Sequence, residues 1–374
     1  MYCRRSIIML LPALALFAAS SAGRVQAQTD PLNFSGDFRL RLERTTKQEP
    51  NVNRPGVRDP RTREVVRFRF GMNKKINGLF NFGARLATGS PDDPNTTDIT
   101  LGDFVNDLTI SLDRVYMELA YKNLFLTGGK FANPFLTTEL VWDGDVNPQG
   151  VGASYTIPGL GKITPKITGV HYVVDEQTVN PDSYMLGGQV QLAIRPSPNL
   201  SLTIAGAYYD YKIRSLANAK TDDIASNNLN ANGSAYLSDF DLLDVIAMVE
   251  YRGLGARYPI RFVGDFVKNR GAVVDDDAGL GLDFYVGQAS KKKDVRFQYG
   301  YAKLETDGAL AAFTHDNTTI ATNYQQHTLA VEYVVVENTT LNLTWYLYRR
   351  NKVVPVGAEN DFFSRLRLNA LVKF

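Results

Sequence analysis

The last fourteen residues of the chain, DFFSRLRLNALVKF, alternate between apolar and polar side chains. The apolar positions are Phe362, Leu366, Leu368, Ala370, Val372 and Phe374, and Phe363 is an exception to the pattern. A period of two is that of a β-strand with one apolar and one polar face. Two architectures accommodate this stretch, Asp361–Phe374: the closing strand of a β-barrel, and the edge strand of a soluble β-sandwich.

The same alternation recurs along the chain. Asn33–Arg44, Arg63–Lys74 and Leu79–Gly89 read as the first three strands, separated by a long polar connection and then by a short turn at Lys75–Gly78. Counting every such segment gives about sixteen strands, with a range of fourteen to eighteen, and every second connection is short. A β-propeller would also need many strands, but the sequence contains no blade repeat.

Composition favours a wall that faces lipid on one side and water on the other. After the N-terminal segment no run of about 18 apolar residues occurs, so no transmembrane helix is indicated. The chain nevertheless has 19 Tyr, 20 Phe and 30 Gly. These features are typical of a transmembrane β-barrel, whose apolar residues alternate with lumen-facing polar ones. Aromatic residues near strand ends fit interfacial girdles: Tyr208, Tyr211, Tyr251, Tyr258, Trp345, Phe362 and Phe374.

The fold predicted from these patterns is all-β: a transmembrane antiparallel β-barrel with short periplasmic turns and long extracellular loops. Strands in lipid must close into a ring, because an open edge would leave backbone groups unpaired. A ring of about sixteen strands is too wide for side chains to fill, so it encloses a water channel. We expect one barrel domain over residues 28–374.

The N-terminus reads as an export signal. Arg4 and Arg5 precede an apolar run, and Val25-Gln26-Ala27 fits a cleavage site, with Ser20-Ser21-Ala22 as a second possibility. Residues 1–27 are therefore predicted to be a signal peptide cleaved near Ala27, and the mature chain is expected in the outer membrane of a Gram-negative cell. The single cysteine, Cys3, lies in this leader, so no disulfide is expected in the mature chain.

The overall charge gives no support for nucleic-acid binding. The chain has 41 basic and 39 acidic residues, and removal of Arg4, Arg5 and Arg24 with the leader leaves 38 against 39. Charge is therefore informative only where residues of one sign cluster.

The stretch GGKFANPFLTTELVWDGDVNPQGVGASY, residues 128–155, is similar to the GK-x-x-NPF … WD-x-D-x-NP-x-G pattern of the bacterial putative porin family. The opening NFSGDFRLRLE and the closing LRLNALVKF resemble the ends of outer-membrane porins more generally. The resemblance covers essentially the whole mature chain. It implies a passive diffusion channel whose C-terminal Phe374 is read by the barrel assembly machinery.

The position of one loop along the chain indicates a candidate site for ion selectivity. In general porins the third long loop folds into the barrel, and here that loop is Ala132–Asn147. The resemblance therefore implies a constriction loop whose acidic residues are Glu139, Asp143 and Asp145. Inward-facing basic residues of the first three strands and the last strand would face them: Arg39, Arg41, Arg67, Arg69, Arg85, Arg365 and Arg367. Opposed charges across a narrow gap set up a transverse field, and we expect a mild preference for anions. The open alternative is that the arginines solvate the lumen or pair with Asp37, Glu43 and Glu118.

Other chemistry has little support. His171, His315 and His327 share no metal-ligand spacing, and no nucleophile, base and acid can be grouped with defensible geometry. Asp143–Asn147 resembles the start of a calcium loop, but Pro148 occupies the position that requires Gly. We expect no enzyme activity, no metal and no cofactor.

The predicted function is an outer-membrane porin for passive diffusion of small hydrophilic solutes or ions. Two alternatives remain: a channel specific for an anionic or carbohydrate ligand, and a plugged structural or adhesive barrel. Expected partners are outer-membrane lipid, lipopolysaccharide, the barrel assembly machinery, and other copies of the chain in a homotrimer.

Overall fold

A computed structural model describes residues 31–47, 60–219, 222–352 and 361–374. The predicted leader and its cleavage site lie outside these residues. The described residues form seventeen strands and three short 3₁₀ helices, the latter at Asp103–Val105, Asp222–Ser226 and Ala311–Phe313. The strands are β1 (Asn33–Lys47), β2 (Arg61–Lys75), β3 (Phe80–Thr88), β4 (Ile99–Thr100), β5 (Ile110–Tyr121), β6 (Leu124–Lys130), β7 (Gln149–Thr156), β8 (Ile163–Asp175), β9 (Ser183–Ser197), β10 (Leu200–Lys212), β11 (Phe240–Tyr251), β12 (Ile260–Asn269), β13 (Ala278–Gly287), β14 (Val295–Leu304), β15 (Tyr324–Val336), β16 (Thr339–Arg350) and β17 (Phe363–Lys373).

Sixteen of these strands form a closed antiparallel barrel, as the sequence predicted. Each pairs with the next along the chain, and β17 pairs with β1 to complete the ring. The remaining strand, β4, is a two-residue segment of the loop between β3 and β5 that pairs with Val65 and Val66 of β2. Because β1 and β17 are paired with each other, the edge strand of a soluble sandwich is excluded for the Asp361–Phe374 stretch.

The seam between the first and last strands is closed by the final residue. The backbone N–H of Gly36 donates to the carbonyl of Phe374 at 2.8 Å, and the N–H of Phe374 donates to the carbonyl of Gly36 at 3.1 Å. The Phe374 ring lies over Gly36, where a Cβ atom would approach two ring carbons at 2.7 and 2.8 Å. Glycine at position 36 therefore lets the terminal aromatic ring cover the seam.

The period of two separates the two faces of the wall. On β1 Leu40 is 47% exposed and its neighbour Arg41 is 5% exposed, and on β17 Leu368 is 47% exposed and Arg367 is 2% exposed. The exposed apolar residues form the outer surface, and the charged ones point into the barrel. No helix in the described ranges is long and apolar enough to cross a membrane.

One predicted girdle residue lies on the wrong side of the wall. Tyr208 is exposed on the outer surface, but Tyr211 is 1% exposed and packs inside the barrel against Trp142. Residues three apart on a strand point to opposite faces, so an outward Tyr208 requires an inward Tyr211.

Candidate functional site

The loop that joins β6 to β7, residues 131–148, lies inside the barrel. The Leu136 N–H donates to Oε1 of Gln189 on β9 at 2.8 Å, and the Gln189 side chain donates back to the Leu136 carbonyl at 2.8 Å. At the other end of the loop, Asp145 accepts a hydrogen bond of 2.9 Å from Arg69 on β2. The β6–β7 loop thus contacts inward residues of strands that are well separated around the ring.

A second loop, residues 305–323 between β14 and β15, packs against the first. The ring of Phe313 stacks on Trp142 with a centroid distance of 5.8 Å, and the Asp143 N–H donates to the Phe313 carbonyl at 2.8 Å. Ala311 and Phe313 are buried. The sequence reasoning gave this β14–β15 loop no role in the lumen, because its short apolar run is no longer than those of ordinary loops.

The two loops meet the wall in an apolar cluster. Trp142, 1% exposed, lies edge-on to Tyr209 at 5.6 Å and within 6.3 Å of the Tyr172 ring, and Tyr211 also contacts Phe313. Each aromatic pair of this kind contributes about 0.5 to 1.5 kcal/mol beyond the burial of its surface. The β8–β11 side of the lumen is therefore filled with protein.

The opposite side, formed by β1–β3, β5 and β17, carries the predicted arginines. Arg39 and Arg41 both bind Asp98, a residue of the β3–β5 loop, and the contact from Arg41 Nη1 measures 2.5 Å. Arg41 also donates to Oδ1 of Asn369 at 2.7 Å. The sequence reasoning missed Asp98, which lies in a polar loop and has no distinguishing signal.

Arg67 and Arg69 share a carboxylate on the neighbouring strand. Arg67 Nε donates to one oxygen of Asp37 at 3.0 Å, and Arg69 Nε donates to the other at 2.7 Å. Each guanidinium thus lies against a wall carboxylate. Glu118, also considered as a partner for the arginines, instead accepts from Asn81 at 2.7 Å.

Glu43 anchors the arginines at the seam. Its carboxylate is 2% exposed and accepts from Arg63 Nε and Arg367 Nε, each at 2.7 Å, while Arg365 Nε lies 3.6 Å away. Three guanidinium groups around one carboxylate leave this cluster with an excess of positive charge.

Arg85 is held by a β-bulge. The register between β3 and β5 shifts between Arg85 and Leu86, so Asp113 is the extra residue of β5 beside Arg114. Arg85 binds Asp113, whose other oxygen accepts from Asn147 Nδ2 at 2.7 Å, and Asn147 Oδ1 accepts from Arg114 at 2.6 Å. The bulge therefore fixes the end of the β6–β7 loop to the wall. The adjacent charged residues Asp113 and Arg114 interrupt the alternation of β5, and this sign of a bulge was not used in the sequence analysis.

The three predicted acidic residues of the β6–β7 loop have different partners. Asp145 binds Arg69 and also accepts from the Thr97 side chain at 2.8 Å. Asp143 is buried, and one of its oxygens accepts from the Asp145 N–H at 2.7 Å. Burial, together with the nearby carboxylates of Asp316 and Glu139, raises the pKa of Asp143 well above its usual value. Only Glu139 lies toward the open part of the lumen.

Asn317, from the β14–β15 loop, joins Glu139 to the arginines. Its Nδ2 donates to Glu139 Oε2 at 2.5 Å, while its Oδ1 accepts from Arg367 at 2.8 Å and from the Tyr346 hydroxyl at 3.0 Å. The Asn317 carbonyl accepts from Arg365 at 2.9 Å. One amide therefore spans the interval between the carboxylate of one loop and the guanidinium of the wall.

A cavity of about 480 Å³ lies between the two inward loops and the wall from β11 through β17 to β1. Its charged lining includes both signs. Arg39, Arg41, Arg261 and Arg367 contribute positive charge, and Glu139, Asp265, Asp283 and Glu332 contribute negative charge. The three cations of β1 and β17 face carboxylates of the β6–β7 loop, β12 and β13, which is the arrangement that creates a transverse field.

Of the three histidines, only His315 lines this cavity. It is 3% exposed, its Nδ1 accepts from the Asn317 N–H at 3.1 Å, and its ring lies edge-on to Tyr324 at 4.8 Å. Burial, aided by Arg367 and Arg365, lowers the pKa of His315 to about 3. Across the described ranges no three His, Cys, Asp or Glu side chains are grouped as metal ligands.

Comparison with known families decides the identity. The sequence profile of the family described as putative porin matches residues 27–241, more than half of the chain.

The chain belongs to the putative porin family.

Solved structures share the fold of this chain. The porin fold matches OprB of Pseudomonas putida at high pH with a TM-score of 0.61 and 12% identity, covering 92% of this chain and 94% of that one. It also matches the outer-membrane channel DcaP of Acinetobacter baumannii, with a TM-score of 0.52, 12% identity and coverage of 92% and 97%. The loop-deleted OmpT of Vibrio cholerae gives 0.52, 11% identity and coverage of 92% and 99%. A search of curated protein sequences finds no significant match.

Family and fold together make this porin an outer-membrane β-barrel channel. The predictions of fold, membrane location and channel function are confirmed. The family and the fold also indicate a channel rather than an enzyme.

Proposed function

We propose that this porin passes small hydrophilic solutes and ions through the cavity between its two inward loops and the β11–β17 wall, with a mild preference for anions. The observation that carries the proposal is the lining of that cavity, which carries charged groups of both signs and is bounded on the arginine side by a surplus of guanidinium groups.

The surplus follows from the contacts. Eight arginines of β1–β3 and β17 are held by five carboxylates, and a ninth, Arg114 of β5, donates to the amide of Asn147. The eight arginines are Arg39, Arg41, Arg63, Arg67, Arg69, Arg85, Arg365 and Arg367, and the carboxylates are Asp37, Glu43, Asp98, Asp113 and Asp145. The pairing neutralises part of the positive charge and leaves the rest, so the preference is expected to be small. Fixed charge in a narrow, low-dielectric pore attracts counter-ions of the opposite sign.

We propose that the β6–β7 loop is the constriction element, and that the β14–β15 loop is a second one. The hydrogen bonds from Gln189, Arg69 and Arg114 support a fixed position for the first loop. The Asn317 bridge supports the same role for the second. Two loops leave a narrower path than one.

Single-channel recording of the purified mature protein in planar bilayers tests the proposal. We expect stepwise conductance that rises linearly with salt, and a reversal potential in a KCl gradient that indicates mild anion preference. Arg39→Gln should move that potential toward cation preference, and Lys292→Gln, a matched charge change in an exposed turn, should not. Conductance that saturates with one solute would instead favour the substrate-specific channel. A silent bilayer would favour the plugged barrel and contradict the proposal.

Further proposals concern export and assembly. We propose that residues 1–27 are removed after export, that Phe374 is read by the barrel assembly machinery, that lipopolysaccharide contacts the upper rim, and that the barrel forms a homotrimer. Intact-mass measurement of the purified protein tests the cleavage at Ala27, and native mass spectrometry tests both the trimer and retained lipopolysaccharide. Phe374→Ala should lower the amount of folded barrel in the outer membrane if the machinery reads this residue.

A further inference from the structure

We propose that the 480 Å³ cavity is a binding site for small zwitterions, molecules that carry a carboxylate and an ammonium group a few bonds apart. This inference rests on the proposed channel function and gives the channel a preferred class of solute. A cavity of this size lies within the range of sites that enclose small ligands.

The donors of the site come from β1 and from the β14–β15 loop. Arg39 Nε and His315 Nε2 are buried and have no hydrogen-bond partner among the described residues. Because Nδ1 of His315 accepts from the Asn317 N–H, the proton of the neutral ring is placed on Nε2, which is then a donor. Both atoms belong to side chains that line the cavity beside Arg367. A group with strong acceptors, such as a carboxylate, would satisfy them.

The acceptors come from β13, β15 and the β6–β7 loop. Gln326 Oε1 is buried and lacks a partner within the described ranges, whereas Asp265 is already hydrogen-bonded to Thr138 and to the carboxyl of Asp244. Asp283 lines the same wall and uses Oδ1 to accept from Gln298 at 2.9 Å. Asp283 and Glu139 offer carboxylate oxygens to an ammonium group, and Gln326 offers an amide oxygen. Buried polar atoms are costly when unpaired, so a ligand that pairs both sets is favoured over one that pairs a single set.

The contacts of Asn317 indicate how far apart the carboxylate and the ammonium group of a bound ligand would lie. Its single amide accepts from Arg367 on one side and donates to Glu139 on the other. A compact group with an acceptor and a donor a few bonds apart therefore fits between a guanidinium and a carboxylate of this lumen. An α-amino acid presents the same pair of functions with full charges, which make stronger hydrogen bonds than a neutral amide.

The test uses three probes of similar size in planar-bilayer recordings of the purified porin: L-glutamine, which is zwitterionic, N-acetyl-L-glutamine, an anion, and L-glutamine amide, a cation. We expect L-glutamine to reduce the ion current saturably. Half-maximal reduction by either singly charged probe should need a concentration about tenfold higher, the value of one lost charge-assisted hydrogen bond.

Variants on the two walls separate binding from folding. Asp283→Asn and Arg39→Gln change opposite sides of the cavity, and each should raise the half-saturating concentration of L-glutamine about tenfold. Lys292→Gln, in an exposed turn, should leave it unchanged. An open channel that all three probes reduce equally would overturn the zwitterion site alone. A silent bilayer would overturn the channel itself.

Discussion

Strands β8–β11 and strands β1–β3 with β17 both turn one face toward the lumen, but they present different chemistry to it. The first group presents Tyr172, Tyr209, Leu242 and Ile246, and its inner face is mainly apolar, with a few polar side chains such as Gln189. The second group presents arginines and carboxylates. An apolar inner face can bury loop side chains such as Trp142, so the loops pack tightly there, and the open cavity lies between the loops and the wall from β11 through β17 to β1.

The difference between these two inner faces explains why the interior of this sixteen-strand barrel is not open across its full width. Apolar side chains inside the lumen need a partner that excludes water, and the β6–β7 and β14–β15 loops supply it. Charged side chains need counter-charges or water, and on the arginine side the loops supply polar partners such as Asp98, Asp145 and Asn317 instead of apolar side chains. The amino-acid composition of the inner faces therefore determines where the channel lies.

The largest expected effect is on the packed side. Trp142→Ala should lower the free energy of unfolding by about 3 to 5 kcal/mol, because it leaves a cavity among Tyr209, Tyr211 and Phe313. Thermal unfolding in detergent, followed by circular dichroism, measures the change. Trp345→Ala is the matched control: the chain has two tryptophans, and Trp345 is 40% exposed on the outer surface. Equal losses would contradict the idea that Trp142 anchors an internal core.

A slightly smaller effect is expected on the arginine side. Glu43→Gln leaves Arg63, Arg365 and Arg367 without their shared carboxylate, and breaking such a buried pair costs about 3 kcal/mol or more. The same variant should increase anion preference in reversal-potential measurements, because the lumen becomes more positive. Glu332→Gln, whose partner Arg296 is 37% exposed, should cost less than about 1 kcal/mol.

Asn317→Ala removes the side-chain connection between Glu139 of the β6–β7 loop and Arg367 of β17. Loss of the bonds to Glu139 and Arg367 should lower stability by about 2 kcal/mol and raise single-channel conductance, because the β14–β15 loop loses its side-chain attachment to β17 and keeps only backbone contacts there. Asn228→Ala is a comparable change in a loop residue that instead binds Asp307, and its conductance should stay at the wild-type value. If the two variants conduct equally, the bridge does not narrow the path.

The smallest effect concerns pH. His315 has a pKa of about 3 in the folded protein, against about 6.5 when unfolded. The unfolded chain therefore takes up a proton as pH falls below 6.5, and the stability present above that pH is lost on the way to pH 3. Between pH 7 and 5 this amounts to about 1 to 2 kcal/mol.

The pH effect is measured as the difference between wild type and His315→Gln in unfolding experiments at pH 7 and pH 5, which cancels the titration of other groups. His171→Gln, in which an exposed residue of β8 is replaced, serves as the control. A wild-type difference no larger than that of His315→Gln would show that the imidazole is already solvated in the folded barrel.

Sequence patterns predicted the strands of the barrel wall better than the loops that pack inside the lumen. On β1, β2 and β17 charged residues alternate with apolar ones, so the inward positions of Arg41, Arg67 and Arg367 followed from the period of two. On β8 the residues are apolar on both faces: Ile167 is exposed and Val170 and Tyr172 are buried. That weak alternation was itself the signal that something packs inside the barrel at β8.

The contents of the lumen depend on contacts between distant segments. Trp142 meets Phe313, and Arg41 meets Asp98, through loops whose paths no local pattern specifies. The seven arginines were predicted as an inward set, but pairing with Asp37, Glu43 and Glu118 was only the alternative interpretation, and of these three Asp37 and Glu43 hold arginines. The roles of the arginines and of Glu139, Asp143 and Asp145 in selectivity stay predictions.

Thiol accessibility tests most directly whether the aqueous path lies on one side of the lumen. The only cysteine of the chain is Cys3, in the predicted leader, so single-cysteine variants report on one position each. Thr328 on β15 lines the open cavity, and Ala207 on β10 lies in the apolar cluster at 3% exposure. A charged, thiol-specific reagent should react with Thr328→Cys and lower its single-channel conductance, while Ala207→Cys stays unreacted. Equal reaction at both positions would contradict the account.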